Sequence, residues 1–297
     1  MFSNSFVQDV IEKQIANVKS PEKPKYEVDK LRLYFCEDYT IQDKIIIHQP
    51  RIQDFIDLGE TNIYSVIAPF TCNTTSYRVQ LWDMGIDWNK ISDFQLFTIL
   101  VKTIQPEYAK IMFQCKCPKL NVNGTPVLNG KGTVVFENEY IDFQNFKLCT
   151  QTKEGKEEFF LYNSELNLKI DQQVYEEIFN YICNMFNTFP KRELCKNKTL
   201  KQDLINKDKL ELANKELNNS GSHLLPMVSF ALNHPGFKYK KNELRDVGIY
   251  EFMDSVQRLQ IYESTKALIA GSYSGFADLS KVNKDEFNFM RDIKIDA

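Results

Sequence analysis

The residues in this sequence whose types and spacing most clearly suggest a chemical role are two cysteines two positions apart, Cys115 and Cys117. Two thiolates at this spacing could hold half of a tetrahedral zinc site, and Cys149 could supply a third ligand. If the segment is a strand, however, both side chains point to one face as small buried apolar groups, which free cysteines commonly are. No second pair completes a zinc site, so packing is the favoured interpretation and we expect no bound metal.

Histidine is rare in the chain, which limits the catalytic sites that it could build. There are three, His48, His223 and His234, and they are far apart in sequence. Hydrolytic chemistry needs a nucleophile beside a histidine that a carboxylate orients, and no nucleophile motif accompanies these residues. Adjacent carboxylates at 157–158, 176–177 and 285–286 fall in predicted turns or on helix surfaces, where solvated charge is the simpler explanation. We therefore expect no catalytic residues and no enzymatic activity.

Glycine-rich phosphate loops are also missing from the sequence. The 297 residues include 11 glycines, and they form neither a Gly-x4-Gly-Lys-Ser/Thr loop nor a Gly-x-Gly-x-x-Gly motif. Both motifs use glycine so that the backbone can approach a phosphate closely. Nucleotide hydrolysis and dinucleotide chemistry are therefore disfavoured, and no cofactor is expected.

The most distinctive segment contains both tryptophans of the chain, Trp82 and Trp88, on either side of a predicted helix break at Gly85. They could anchor a core at a turn between helices, or form an exposed aromatic hot spot for a protein partner. Core packing is the favoured interpretation. Under the alternative, Trp82 and Trp88 are candidate partner-binding residues, together with Tyr250 and Phe252 of a second aromatic segment.

The charge balance argues against binding of nucleic acid through bulk positive charge. The formal net charge is −3, and the most basic stretch, residues 191–215, also contains acidic residues and lacks aromatic side chains for base stacking. A solvated helix face explains this stretch best, so nucleic acid is an unlikely partner. No apolar run is long enough to span a membrane, and no secretory signal precedes the seven cysteines, which suggests reduced thiols in a cytosol.

Periodicity and turn residues divide the chain into four regions. We predict an N-terminal helix and linker over residues 1–28, with the helix at 3–19, and an α+β core over 29–190. A charged helix or linker follows over 191–219, and a helical C-terminal domain covers 220–297. A β insert at about 110–170 is indicated by period-two patterns and by the Asn123-Gly124 and Asn129-Gly130 turn signals. We find no internal repeat.

These regions predict an α+β fold that is mostly helical, with a small antiparallel β-sheet insert and an all-helical C-terminal part. Strands are predicted around residues 31–35, 44–47, 111–113, 133–136, 146–148 and 159–162. Helices are predicted to begin at Ser92, which forms a capping box with Gln95, and at Asp171.

Several segments together resemble a group of proteins from tailed bacteriophages. The similar blocks are residues 44–55 (KIIIHQPRIQDF), 81–94 (LWDMGIDWNKISDF), 233–237 (NHPGF), 249–260 (IYEFMDSVQRLQ), 273–275 (YSG) and 278–281 (DLSK). They are spread over most of the chain after residue 28. The group is described as tail assembly chaperones or minor tail-morphogenesis proteins, and it supplies no catalytic motif that could be transferred to this sequence.

The resemblance implies a non-enzymatic protein of the host cytoplasm or the virion that binds tail tube or tape-measure subunits. Two alternatives stay open. One is a metal-dependent or nuclease-like protein that uses Cys115, Cys117 and Cys149 or the acidic pairs. The other is a packaging or scaffolding factor whose basic stretch at 191–215 lies on phosphate.

Overall fold

The computed structural model describes residues 26–153, 156–195, 197–217, 221–274 and 282–293. The helix predicted at 3–19 lies outside these ranges. The helices are α1 (Lys30–Tyr34), α2 (Ile52–Leu58), α3 (Glu60–Thr71), α4 (Arg78–Asp83), α5 (Asp93–Leu100), α6 (Pro106–Ala109), α7 (Gln172–Met185), α8 (Lys198–Leu217), α9 (Leu224–Asn233) and α10 (Ile249–Ser274). The strands are β1 (Tyr39–Ile41), β2 (Ile45–Ile47), β3 (Phe113–Pro118), β4 (Phe136–Tyr140), β5 (Lys147–Lys153), β6 (Lys156–Asn163) and β7 (Leu168–Ile170).

The strands form two antiparallel sheets, one with the order β1-β2-β3-β4 and one with the order β5-β6-β7. Strand β2 pairs with β3 in a register that places Ile45 opposite Cys115, so residues about 70 positions apart share one sheet. After residue 220 the described chain is helical. The predicted α+β fold, with small antiparallel sheets and an all-helical C-terminal part, is confirmed.

Local signals in the sequence account for several helix ends. The Ser92 hydroxyl accepts a hydrogen bond from the Gln95 N–H at 3.1 Å, and the Gln95 side chain accepts one from the Ser92 N–H at 2.8 Å. The Asp171 carboxylate accepts a hydrogen bond from the Val174 N–H at the start of α7. Gly85 has a φ of 76° after α4, the left-handed conformation that glycine adopts without a Cβ penalty. All three predicted helix boundaries are confirmed.

The strand predicted around residues 31–35 is wrong, because this segment forms helix α1. The Asp29 carboxylate accepts hydrogen bonds from the N–H groups of Leu31 and Arg32 and so begins a helix. Leu33 is buried, whereas Leu31 and Phe35 are exposed. Three alternating apolar residues are too few to distinguish a strand from one turn of a helix.

Two other predicted strands are displaced along the chain. The strand expected at 111–113 begins at Phe113, and the strand expected at 133–136 is β4, which begins at Phe136 and continues through Glu137, Asn138 and Glu139. Because these residues are polar, the strand lacks the alternating apolar pattern on which the prediction depends, and it was expected too early in the chain. The polar residues are tolerated because β4 is the outermost strand of its sheet and most of its side chains are exposed.

The main hydrophobic core joins residues from both sides of the boundary predicted near residue 220. Phe70, Phe97 and Phe113 pack in the same cluster as Phe252 and Val256 of α10. A smaller cluster contains Trp88 and Ile205. The division of the chain into four regions remains a prediction, but the start of α10 belongs to the same buried cluster as the α+β core.

Residues 49–52, which follow β2, are hydrogen-bonded to residues 247–250 at the start of α10, and we call this contact the joint. The Ile52 N–H donates to the Val247 carbonyl, and the Ile249 N–H donates to the Pro50 carbonyl, both at 3.0 Å. Next to these bonds, the buried Gln49 amide donates to the Leu33 carbonyl at 2.8 Å and accepts from the Tyr250 N–H at 3.0 Å. The joint holds α1, β2 and α10 together and connects residues 44–55 with residues 249–260.

Candidate protein-binding surface

The two tryptophans lie beneath the charged helix rather than on an open surface. Trp88 is 1% exposed, and its indole N–H donates to the Glu193 carbonyl at 3.3 Å. Trp82 is half-buried, with its ring centroid 6.0 Å from that of Trp88. The structure therefore places Trp88 in a core, and of the pair only Trp82 is partly available to a partner.

An ion pair at Arg78 holds helix α8 and the segment before it against α4. The guanidinium side chain is 10% exposed and contacts the carboxylates of Glu193 and Asp208. With Asp208 the contact is bidentate, because Nε and Nη2 each donate to one carboxylate oxygen. Two hydrogen bonds in a fixed planar geometry fix the position of α8 more precisely than a single charge contact would.

Three more cations of the basic stretch are paired with carboxylates of the tryptophan segment and of α5. The pairs are Lys201 with Asp87 at 2.6 Å, Lys209 with Asp83 at 2.7 Å, and Arg192 with Asp93. Burial by itself raises the pKa of Asp87, but hydrogen bonds from the Lys201 ammonium and the Asn89 N–H outweigh it and lower the pKa. Lys201 therefore faces the protein, whereas Lys209 and Arg192 are paired with acids of the protein but remain about half exposed.

The other two candidate partner-binding residues lie at the joint. Phe252 is fully buried in the main core, and Tyr250 is half-buried. Beside them, the Lys238 ammonium donates to Glu251 at 2.9 Å and to the Tyr34 hydroxyl at 3.2 Å. Burial by itself lowers the pKa of Lys238, but the hydrogen bonds to Glu251, Tyr34 and Tyr239 together outweigh it and raise the pKa, which favours the charged ammonium.

The positions of Cys115 and Cys117 agree with the interpretation that their side chains pack in the protein interior. Cys115 and Cys117 point to one buried face of β3, with their Sγ atoms 3.6 Å apart. Cys149 lies in β5, in the other sheet. Among the residues that the structure describes, no group of three or more cysteine, histidine or acidic side chains could hold a metal ion, so Cys149 does not complete a site with the pair.

The Cys115 thiol is expected to be unreactive in the folded protein. Burial, and then the neighbouring Cys117 thiol, raise its pKa to about 12. Thiolate is the reactive form, so a disulfide reagent at about pH 8 should label this residue only after unfolding. Because the unfolded thiol ionises first, the free energy of unfolding should fall as the pH rises from about 9 toward 12.

Two measurements check this expectation: the rate of thiol labelling with and without urea, and urea unfolding at increasing pH. The Cys115→Ala variant is the control, because it should show a smaller decrease in stability at alkaline pH than the unsubstituted protein. Rapid labelling of Cys115 in the folded protein would contradict the assignment of a buried, protonated thiol.

One histidine, His48, lies next to a carboxylate that could orient its ring, that of Asp38. His48 Nδ1 lies 2.6 Å from Asp38 Oδ1. The cysteine nearest in sequence, Cys36, has its thiol against Gly248, and burial raises its pKa above the ordinary value. A thiol with a raised pKa is not an activated nucleophile. The His48–Asp38 pair is therefore not accompanied by an activated Cys36.

A feature that the sequence analysis missed is an eight-residue repeat between β3 and β4. Residues 120–127 (LNVNGTPV) and 128–135 (LNGKGTVV) fold into the same turn. In each turn an asparagine side chain, of Asn121 or Asn129, accepts hydrogen bonds from the N–H groups two and four positions later. The glycine three positions after each asparagine has a φ near 75°, at 74° for Gly124 and 76° for Gly132.

The two turns meet β3 and β4 in a three-way junction. The Lys119 N–H donates to the Val135 carbonyl, the Val135 N–H donates to the Val127 carbonyl, and the Val127 N–H donates to the Lys119 carbonyl, each at 2.8 Å. These three residues are eight positions apart and close a ring of backbone hydrogen bonds. We call residues 118–136 the arm. It is a hydrogen-bonded platform and not a loose loop.

One face of the arm is apolar and exposed. The residues that flank the three junction residues form cross-strand pairs, and their side chains project to one face of the arm. The pairs are Pro118 with Phe136, Leu120 with Pro126, and Leu128 with Val134. We call these six residues the arm face. Leu120 is 55% exposed, Leu128 is 58% exposed and Phe136 is 51% exposed. Six neighbouring apolar side chains in contact with water are uncommon on a protein surface without a partner.

The signal for the arm was present in the sequence but was not recognised as a repeat. The two Asn-Gly pairs predict separate hairpin turns, and two copies of eight residues are much shorter than the repeats of 20 or more residues that are typical of repeat proteins. The statement that the chain lacks an internal repeat is therefore wrong. Aligning Leu120 with Leu128 brings Asn121 onto Asn129 and Gly124 onto Gly132, which would have revealed it.

Over the described residues, no helix has both the length and the apolar composition needed to cross a bilayer. Comparison with models of known protein families, with curated proteins and with solved structures gave no match in any of the three cases.

Proposed function

We propose that this chain is a non-enzymatic protein of bacteriophage tail morphogenesis, an assembly chaperone or minor tail protein, that binds tail tube or tape-measure subunits. The observation that carries the proposal is the arm face, a set of six neighbouring apolar side chains held in contact with solvent. The phage context comes from the resemblance of the sequence blocks. The expected place of action is the host cytoplasm, with retention in the virion as the alternative.

The arm has the properties of a protein-binding surface. Removing apolar area from water favours association by about 25 cal/mol per Å², so exposed leucine and phenylalanine side chains are a source of binding free energy. Backbone and asparagine hydrogen bonds fix the arm before any partner arrives. A preformed surface loses less conformational entropy on binding than a flexible loop does.

The geometry of the other candidates gives less support to catalysis or nucleic-acid binding. Lys238 is paired with Glu251, Cys115 is buried with a raised pKa, and three cations of the basic stretch are paired with acids of the protein. Elemental analysis of the purified protein discriminates the metal-dependent alternative, since a thiolate zinc site would show as about one zinc per chain. A steep loss of DNA binding with rising salt would support the packaging or scaffolding alternative.

The experiment that tests the proposal is co-expression with the tail tube subunit and, separately, with the tape-measure protein of the same phage. We expect the chain to co-elute with at least one of them in size-exclusion chromatography at micromolar concentration. Separate elution of all three proteins would contradict the proposal. An unrelated phage protein with a comparable net charge serves as the control for adhesion through charge alone.

A further inference from the structure

Strand β4 forms an open edge of the first sheet. It is the terminal strand in the order β1-β2-β3-β4, and no other described strand pairs with its outer side. The Ile141 N–H donates to the Phe113 carbonyl, whereas the Lys116 N–H donates to the Lys44 carbonyl beside β2. The backbone N–H and C=O groups of the odd-numbered residues in β3 and β4 therefore form hydrogen bonds with each other. Because bonding alternates in antiparallel strands, the N–H and C=O groups of Phe136, Asn138 and Tyr140 point outward.

The two faces of this edge differ in chemistry. Phe136 and Tyr140 project to one face and are 51% and 59% exposed. Asn138 lies between them on this face, and the Lys116 ammonium lies 5.3 Å from the centroid of the Phe136 ring. Phe136 also belongs to the arm face, so it joins this face of the strand to the arm. Glu137 and Glu139 project to the other face. Glu137 lies 3.3 Å from Lys119 in a partly exposed ion pair, and among the described residues Glu139 has no cation within ion-pair distance.

A second copy of the chain is a poor occupant of this edge. In an antiparallel pairing of two β4 strands centred on Asn138, Glu137 of one copy would lie opposite Glu139 of the other. The pairing would bring four carboxylates together on one face, and like charges in directly opposed positions destabilise a sheet. The acidic face therefore disfavours self-association and favours a strand that carries positive charge.

We propose that the outer edge of β4 binds an extended segment of a partner protein in which apolar and basic side chains alternate. The segment adds a fifth strand through main-chain hydrogen bonds to Phe136, Asn138 and Tyr140. Its apolar side chains lie on the face of Phe136 and Tyr140, and its basic side chains lie on the face of Glu137 and Glu139. This inference deepens the proposed function, on which it rests, by specifying the kind of partner segment that the arm and its supporting strand would recognise.

Synthetic peptides test the charge and the alternation separately. The probe is a fluorescein-labelled eight-residue peptide of alternating valine and lysine, titrated with the full chain and followed by fluorescence anisotropy. The controls are a valine–glutamate peptide and a peptide of the same valine and lysine content arranged in two blocks. We expect the alternating basic peptide to bind at least about tenfold more tightly than either control, and to weaken as salt is added. Equal affinity for the three peptides would overturn the proposal.

A matched pair of variants tests the main-chain contact. Asn138→Pro removes an outward N–H group, and proline is tolerated on an edge strand whose N–H faces solvent, so the fold should persist. Asn138→Ala retains the N–H group. Because both variants lose the asparagine side chain, they differ in the N–H group, and we expect the proline variant to bind the peptide about tenfold more weakly than the alanine variant, the equivalent of about 1.4 kcal/mol. Equal affinity of the two variants, with unchanged circular dichroism, would contradict strand addition.

A second pair of variants tests the charge contact. The double variant Glu137→Gln/Glu139→Gln should bind the basic peptide less tightly and with less dependence on salt. Glu165→Gln removes one exposed carboxylate from the turn before β7 and should leave both quantities unchanged. An unchanged salt dependence in the double variant would overturn the role assigned to the acidic face.

The outcomes separate this inference from the proposed function. If tail subunits fail to co-elute but the alternating peptide binds in a way that Asn138→Pro abolishes, the proposed function fails and the β4 edge remains a binding site. If tail subunits co-elute equally well with Asn138→Pro and the peptide does not bind, the proposed function stands and the inference about β4 is overturned.

Discussion

Replacing Gly248 with alanine is expected to lower the free energy of unfolding by about 3 kcal/mol, a large effect for the addition of one methyl group. A Cβ atom at this position would overlap with the Cys36 thiol and the Gln49 amide oxygen. Neither group can move freely. Gln49 is buried and makes two hydrogen bonds, to Leu33 and Tyr250, and Cys36 has a constrained backbone with a φ of 55°.

Urea unfolding followed by circular dichroism measures the effect. The matched control is Gly130→Ala, in the second turn of the arm, where a Cβ atom would meet no neighbour within 4 Å and the backbone φ is not positive. We expect the control to change stability by less than about 0.5 kcal/mol. Equal unfolding midpoints for the two variants would show that the joint between β2 and α10 is not closely packed at Gly248.

The second large effect is expected at Arg78. Replacing it with methionine preserves most of the apolar stem but leaves the Glu193 and Asp208 carboxylates facing each other without their shared cation. Breaking a buried pair by removing one partner costs about 3–5 kcal/mol. Because the two carboxylates are partly exposed to solvent, we expect a smaller loss of about 2 kcal/mol, with release of α8 from α4 before the main core unfolds.

Amide hydrogen exchange of α8 distinguishes local release from global unfolding. In Arg78→Met the amides of α8 should exchange faster while those of α7 keep their protection. The control is Lys207→Met on the same helix, whose ion pair with Glu211 is mostly exposed and contributes little. If Arg78→Met left exchange in α8 unchanged, the ion pair would not be what holds this helix in place.

Local patterns predicted the elements whose ends are determined by nearby side chains. Helix α7 could be predicted from the Asp171 cap and from apolar residues at helical spacing. Helix α5 could be predicted from the Ser92–Gln95 capping box. Helix α1 was missed because the Asp29 cap decides its conformation more strongly than three alternating apolar residues do. Strand β4 was expected too early in the chain, because its polar residues suit an edge strand, a position that the sequence does not show.

The candidate site was harder to predict because exposure depends on contacts between distant segments. Trp88 is buried because the chain around Glu193 crosses it about 100 residues later. Leu120 and Leu128 are exposed because the turns that carry them extend beyond the sheet. Residue type alone favours aromatic side chains as contact residues. The structure instead leaves aliphatic side chains, with Phe136 beside them, in contact with solvent.

The most direct test of the account is whether the arm face is required for binding of tail subunits. The variant Leu120→Asp/Leu128→Asp places two charges on the arm face, and the matched control Leu210→Asp/Leu225→Asp places two charges at exposed leucines of α8 and α9. Each variant is co-expressed with the tail subunit that binds the unsubstituted chain and analysed by size-exclusion chromatography. We predict that the arm variant elutes alone, with an unchanged unfolding midpoint, while the control forms the complex. Normal complex formation by the arm variant would contradict the account.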